Sequence, residues 1–347
     1  MTYFQAVVIA LIQGVTELFP VSSLGHSVLV PAWFGGSWQS LVTQSSEASS
    51  ESSFYLAYIV ALHCATALAL LWFFRVDWVR IIRGFFRSVA RTVRERAFIV
   101  RDADERLAWL IVLATIPVGI TGLAFEHVFR TVFAKPLAAS VLLFVNGLVL
   151  LAGERFRRGA EDRETALAVA ATPAEAAISR GGGVALAERP AAPPAGAPPA
   201  SARGGRSADD VQSALESDRR IAGVSYGDGV FVGSMQVFAL LAGISRSGAT
   251  MVGALWRGLS HEDAARFAFL LATPVIFAAG VLKLPSLAGP AGDHIHGQVV
   301  VGMIITGVTA YLSVRFLVRY FETRTLTPFA IYCLVVGAAS IVRFSLA

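Results

Sequence analysis

The sequence predicts an all-α polytopic membrane protein, with six transmembrane helices plus two re-entrant helical hairpins in an inverted-topology repeat. Three observations carry that expectation. The chain is 55% hydrophobic and only 15% charged, against about 25% charged for a typical soluble domain, and its mean hydropathy is +0.63. Apolar stretches long enough to span a bilayer alternate with polar or arginine-rich connections. Finally, two further apolar segments, each broken by small or helix-interrupting residues, align without gaps. Laying Gln13 over Gln236 brings Leu18 onto Leu241, Ser22 onto Ser245 and Gly25 onto Gly248, with Ser23 on Arg246. In membrane proteins such internal repeats often relate two halves by a pseudo-two-fold axis, with the site between them.

The elements follow in chain order. Residues 1–35 are apolar but interrupted by Gly14, Pro20, Ser22, Ser23 and Gly25. Two half-helices of roughly a dozen residues cannot both cross about 30 Å, so a re-entrant hairpin is expected, with Ser22 or Ser23 capping its second half. The N-terminus has no basic n-region, and no cleaved signal is read there. Residues 36–53 are Ser/Glu-rich and expected as an exposed loop. Residues 54–74 form the first span. Nine arginines lie from Arg75 to Arg106, which the positive-inside rule places in the cytoplasm, with the amphipathic stretch Val76–Val89 on the membrane surface. Residues 107–127 and 137–153 are the next spans, the former kinked near Pro117 and Gly119. These elements make a first repeat over 1–153.

Residues 154–228 are rich in Ala, Pro, Gly, Arg and Glu and are expected as a disordered low-complexity cytoplasmic insertion. The second repeat, 229–347, comprises a hairpin at 230–256 broken at Gly243, a polar connection from Arg257 to Arg266, and spans at 267–287, 298–316 and 326–346. Arginine placement makes the two hairpins enter from opposite faces. The formal charge of +5 is then an orientation signal rather than a nucleic-acid footprint.

The chemistry collects at the two breaks. Arginine at membrane depth costs about 2.5–3.5 kcal/mol on insertion scales and is usually kept for a function. Arg246, flanked by Ser245, Ser247, Gly248 and Thr250, suits an anion, above all a phosphate. It lies where a half-helix begins, so the positive end of the helix dipole would face the same anion. In the first hairpin Glu17 lies four residues after Gln13, on one helix face. Ser22 and Ser23 precede His26 by four and three residues, which would seat the imidazole over the serine hydroxyls. Serine with histidine is a nucleophile-and-base pairing.

Other polar residues read as structural. His63 and Asn146 lie in spans and are expected to make helix–helix hydrogen bonds. Glu126, His127, His294 and His296 fall at or beyond span ends, in solvent. His261-Glu262-Asp263 reads as a cap with surface charge. Cys64 and Cys333 read as small core residues. No P-loop, HExxH or CxxC pair is present.

Gln13-x-x-x-Glu17, Pro20-Val-Ser22-Ser23-x-Gly25-His26 and Gly243-Ile-Ser245-Arg246-Ser247-Gly248-Ala-Thr250 together resemble the undecaprenyl-diphosphate phosphatases, the bacitracin-resistance family. The resemblance covers nearly the whole chain outside 154–228. It implies a multi-pass hydrolase of the bacterial inner membrane that removes one phosphate from undecaprenyl diphosphate and returns the carrier to cell-wall synthesis. It also implies an active site facing the periplasmic side and dependence on a divalent cation such as Mg²⁺ or Ca²⁺, without an organic cofactor. Two positions depart from the family pattern: Gln13, often Glu, and Ala242, usually Pro.

On this reading Arg246, Ser245, Ser247, Gly248, Thr250, Ser22 and Gln13 hold the diphosphate. Glu17 binds the cation or orients water, and His26 is the general acid or base. Ser23 is the candidate nucleophile, alongside water. The expected partners are the polyprenyl diphosphate, the bilayer and, as one option, a second copy of the chain, with no nucleic acid. The competing class is a transporter or flippase of an anionic lipid, since inverted repeats with broken helices serve carriers too. Another class of membrane lipid phosphatases, with separate Lys/Arg-Pro, Pro-Ser-Gly-His and Ser-Arg motifs, matches only at its Ser-Arg element.

Overall fold

A computed structural model describes residues 1–47, 54–133, 135–171, 208–283 and 295–346. Among these every regular element is helical. Six helices are long and apolar enough to cross a membrane, as the sequence predicts.

The first helix, α1 (Tyr3–Thr16), starts at a capping box in which Thr2 and Gln5 satisfy each other's backbone N–H groups. It stops before Pro20, and α2 (Ser23–Phe34) resumes with Ser22 as its N-cap. Ser22 holds a φ of 70°, in the left-handed region that costs a non-glycine residue some strain. The helix α3 (Gly36–Glu47) replaces the loop expected from residue 36. Trp38 packs on Phe4 and Phe34 and Leu41 is buried, so two apolar residues three apart fasten this Ser-rich segment. Residues 48–53 lie outside the described residues.

The first span is α4 (Phe54–Phe73). Next comes α5 (Arg75–Glu95), amphipathic as expected but helical well beyond Val89. The spans α6 (Ala103–Phe133) and α7 (Pro136–Ala171) follow. The proposed insertion is therefore narrower than 154–228. Helix α7 continues to Ala171 and α8 covers Ala208–Ala222, while 172–207 lies outside the described residues. A row of ion pairs holds α8. Asp218 meets Arg80 and Arg266, and Arg220 meets Asp263 at 2.7 Å. Burying such charges is tolerable because each finds its counter-ion.

The second broken segment begins with α9 (Tyr226–Ser234) and a 3₁₀ turn, Met235–Leu240. The chain then breaks at Gly243, whose φ is 118°. A Cβ there would come within 2.6 Å of the Ala139 carbonyl oxygen, so glycine is required twice over. Helix α10 (Arg246–Trp256) follows, and three spans complete the chain: α11 (His261–Lys283), α12 (His296–Phe321) and α13 (Thr327–Ser345).

The expected polar connection to Arg266 is thus partly helix α11. Arg266 is buried against Asp77 and Asp218 at 2.9 and 2.7 Å. His261 contacts Glu154 at 2.7 Å, and buried Asp263 accepts from Ser217. These residues join α7, α8 and α11 rather than forming a surface cap.

Helix α7 packs along α13, α1 along α12, and α9 along α6, while α4 lies against both α11 and α12. Helix α10 is enclosed by α7, α11 and the 3₁₀ turn. Its residues from Ser247 to Leu255 are all buried, which places the Arg246 end deep in the bundle.

Candidate active site

The two breaks meet. Glu17 sits just past α1 and is 7% exposed. The guanidinium of Arg246, at the start of α10, donates from Nη2 to Glu17 Oε1. Ser23 donates from its hydroxyl to Glu17 Oε2, and Gln13 Nε2 donates to the same oxygen at 2.9 Å. A carboxylate with so little solvent needs this many donors, and the guanidinium matches its charge. The amide oxygen of Gln13, Oε1, is buried with no hydrogen-bond partner among the described residues.

One member was not expected. His63 of α4 brings Nε2 to 3.3 Å from both Glu17 Oε2 and Gln13 Nε2. Its Nδ1 lies 2.8 Å from the Ile59 carbonyl. A carbonyl only accepts, so Nδ1 carries the proton and Nε2 is the atom presented to the site. The sequence signal was a histidine in an otherwise largely apolar span. The expected helix–helix hydrogen bond is present, to Gln13 of α1, and the same ring nitrogen also reaches Glu17 just beyond that helix. The carboxylate is enclosed, whereas the side chains of Arg246 and His63 are 17% and 25% exposed. The cluster therefore opens on the side of the guanidinium and the imidazole.

His26 is placed differently from expectation. It is buried, with Nδ1 2.7 Å from the Ser22 carbonyl and Nε2 2.8 Å from the Tyr332 hydroxyl. The two rings stack at 5.7 Å. The imidazole thus contacts the Ser22 backbone and Tyr332 rather than either serine hydroxyl. Helical spacing brought His26 over Ser22, but the nearer acceptor was the carbonyl four residues back. Ser23 turns instead to Glu17. Nothing in the sequence pointed to Tyr332.

Several hydroxyls expected to face a phosphate are engaged with backbone. Ser22 Oγ accepts the N–H groups of Gly25 and Gly243, both at 3.2 Å. Ser245 caps α10 by accepting from Gly248 N–H at 3.2 Å, and its hydroxyl reaches the Phe19 carbonyl at 3.3 Å. Ser247 donates to that same carbonyl at 3.2 Å. Thr250 bonds back to the Arg246 carbonyl at 2.8 Å, a common satisfaction for a hydroxyl on a helix. At Gly248 a Cβ would crowd Leu150 and Pro20 at 3.1 and 3.2 Å, so its small size serves the packing of one break on the other.

Asn146 completes the joint. It donates to the Pro20 carbonyl at 3.1 Å and accepts from Ser245 N–H at 3.0 Å. The expected helix-to-helix hydrogen bond is present, and its partners are the two broken segments.

Chemically, this is a positive helix end, a guanidinium and an imidazole grouped around one carboxylate, with a serine hydroxyl on that carboxylate. Such a set can hold an anion and move a proton at Ser23 or at a bound water. No group of three or more His, Cys, Asp or Glu placed to hold a metal occurs among the described residues.

The same chain matches the family model described as "Bacitracin resistance protein BacA" over residues 6–183 and 205–339. It is 57% identical to "Undecaprenyl-diphosphatase 2" of Frankia alni, covering 100% of this chain and 99% of that protein. It is 51% identical to "Undecaprenyl-diphosphatase" of Mycolicibacterium paratuberculosis over 100% of this chain and 98% of the relative. A more distant relative, "Undecaprenyl-diphosphatase 2" of Burkholderia ambifaria, is 36% identical with 97% of this chain covered. With six helices apolar enough to span a bilayer and relatives that match it from end to end, the chain is a multi-pass membrane protein of the bacitracin resistance protein BacA family.

Proposed function

We propose that this protein hydrolyses undecaprenyl diphosphate to undecaprenyl phosphate and inorganic phosphate in the bacterial inner membrane, recycling the carrier for peptidoglycan synthesis and conferring bacitracin resistance. The observation that carries the reading is the meeting of Arg246 with Glu17 and Ser23 across two broken helices. Arg246 binds the diphosphate and stabilises charge on the transferring phosphoryl group. Glu17, in contact with the Ser23 hydroxyl, takes the proton from the attacking group. That group is Ser23 Oγ or a water held in its place. Attack on the terminal phosphorus breaks the bridging P–O bond, and undecaprenyl phosphate leaves. With Ser23 as nucleophile, water then hydrolyses the phosphoserine. His26, held by Tyr332, lies one helical turn beyond Ser22 and supplies or removes a proton at the phosphate.

Ser22, Ser245, Ser247, Gly248 and Thr250 contribute by fixing the breaks that aim Arg246 and Ser23. A divalent cation fits the oxygens present. Mg²⁺ is commonly held by one or two carboxylates together with substrate phosphates. Glu17 and the unpartnered Gln13 Oε1 offer that protein share. When bound, the ion would neutralise phosphate charge.

The fold reading belongs here too. Pairing α1 with α9, α2 with α10, α4 with α11, α6 with α12 and α7 with α13 makes the α1–α12 contact the counterpart of α9–α6. Likewise α4–α12 becomes the counterpart of α11–α6. That exchange supports two inverted repeats, 1–153 and 229–347, each opening on a re-entrant hairpin. The family resemblance implies that the site faces the periplasmic side.

The deciding experiment is phosphate release from undecaprenyl diphosphate by purified protein in detergent, where no compartments exist for a carrier to serve. Release that falls at least tenfold in both Arg246→Ala and Glu17→Gln supports the reading. Absence of release from the wild type, or near-wild-type release in either variant, overturns it.

A further inference from the structure

The outer face of α5 forms a site of its own. Residues 75, 79, 82, 83, 86, 87 and 90 recur at helical spacing and line one groove of about 1150 Å³. It shares no residue with the Glu17 cluster. Its apolar part is conspicuously open: Val79, Ile82 and Phe86 are 47%, 46% and 64% exposed. Its polar part is cationic. Arg80 is engaged by Asp77, Asp104 and Asp218, which leaves Arg83 and Arg87 outward beside Arg75, whose Nη1 donates to the Trp72 carbonyl at 3.0 Å. Arg83 makes no ion pair among the described residues, and Arg87 meets only an exposed Asp102 at 3.2 Å.

A second, mostly apolar crevice of about 360 Å³ adjoins it, between α5, α6 and α11. Ile82 and Phe86 line both spaces. The crevice follows α6 from Ala108 to Thr115, about 10 Å at 1.5 Å per residue, and ends against Pro274. A guanidinium rim opening onto an apolar slot that runs along a spanning helix matches the two halves of a lipid, an anionic head and an acyl chain.

We propose that α5 and α6 bind one anionic glycerophospholipid, with its phosphate diester among Arg75, Arg83 and Arg87 and an acyl chain in the crevice beside Ile111 and Thr115. The occupant is structural lipid of the leaflet that α5 faces, not substrate. Removing two arginines beside an anionic headgroup should lower affinity by about 30-fold, about 2 kcal/mol at 1.4 kcal/mol per tenfold.

The test is native mass spectrometry of the full chain in detergent with dioctanoyl phosphatidylglycerol, dioctanoyl phosphatidylcholine and chain-free glycerophosphoglycerol. The expected result is one retained phosphatidylglycerol, at least tenfold tighter than phosphatidylcholine, with no binding of the chain-free head. The variant Arg75→Gln/Arg83→Gln should bind both lipids alike while releasing phosphate at the wild-type rate. Equal affinity of the wild type for both lipids overturns the proposal, as does an unaltered preference in the variant. Competition by farnesyl diphosphate for the same place also overturns it, because the groove would then be a substrate site.

Discussion

Removing the Arg246 guanidinium should harm stability and turnover by different amounts, and the difference is diagnostic. The Glu17 side chain is 4% exposed. In Arg246→Ala it keeps the Ser23 and Gln13 donors but loses its charge partner. Breaking a buried pair from one side costs about 3–5 kcal/mol. Two surviving donors and His63 at 3.3 Å put this case at the low end, about 3 kcal/mol. Turnover should fall further than that loss implies, because the guanidinium also faces the transferring phosphoryl group. One such donor is worth about 10²–10³ in kcat.

The double variant Glu17→Gln/Arg246→Ala separates the two effects. The neutral amide no longer needs the cation, so about 2 kcal/mol of stability should return, within the range seen for contacting pairs. Activity should stay absent. The measurements are chemical denaturation in detergent and phosphate release from undecaprenyl diphosphate under saturating substrate. A single variant as stable as wild type, or a double variant that is merely the sum of the two singles, would refute the contact. Turnover within threefold of wild type in Arg246→Ala would refute its place in the chemistry.

Other outcomes follow from the same geometry. Ser22→Ala removes an N-cap worth about 1 kcal/mol and orphans Gly243 N–H for about 1–3 kcal/mol more, so its denaturation midpoint should drop clearly. Ser23→Ala takes one donor from the buried Glu17 carboxylate, so its midpoint should drop as well, but it should also lower phosphate release at least tenfold, further than Ser22→Ala does. Equal phosphate release by the two variants would contradict the division of labour. Tyr332→Phe deletes one neutral hydrogen bond to His26, about 0.5–1.5 kcal/mol, and should lower kcat about 2- to 10-fold with KM unchanged; an unaltered kcat removes Tyr332 as a positioning residue. Chelation should abolish phosphate release, restored by Mg²⁺ or Ca²⁺, and Gln13→Leu should raise the Mg²⁺ concentration needed. Release that survives chelation excludes the cation.

The spans were legible because twenty apolar residues in a row leave few alternatives. Both breaks were legible because Pro20 interrupts a helix and Gly243 weakens one and permits the positive φ of a break. The repeat put the site between the two breaks, but the residues alone suited Arg246 to a phosphate and Glu17 to a cation or a water, not to each other. What escaped was decided by distance rather than pattern. His63 is 46 residues from Glu17 and Tyr332 is 306 residues from His26, and no local periodicity encodes such encounters. The exposed loop expected over 36–53 and the disordered insertion expected over 154–228 are helical at 36–47, 154–171 and 208–222, because polar composition was taken for lack of structure. Two apolar residues suffice to dock α3, and α8 is fixed by ion pairs that only the folded chain brings together.

The spent serines explain why the site exists where it does. A chain that stops being helical inside an apolar bundle leaves carbonyls and N–H groups that no water satisfies. Here each break supplies what the other lacks. The Phe19 carbonyl takes the hydroxyls of Ser245 and Ser247, Gly243 N–H takes Ser22 Oγ, and Asn146 spans Pro20 and Ser245. These bonds leave little freedom in how the two segments sit, and so they fix the line from Arg246 to Glu17. The polar groups that make broken helices costly are the ones that position the reacting residues. Asn146→Leu, which touches neither Glu17 nor Arg246, should therefore reduce both stability and turnover, and a loss of stability alone would show that the aim of Arg246 is set elsewhere.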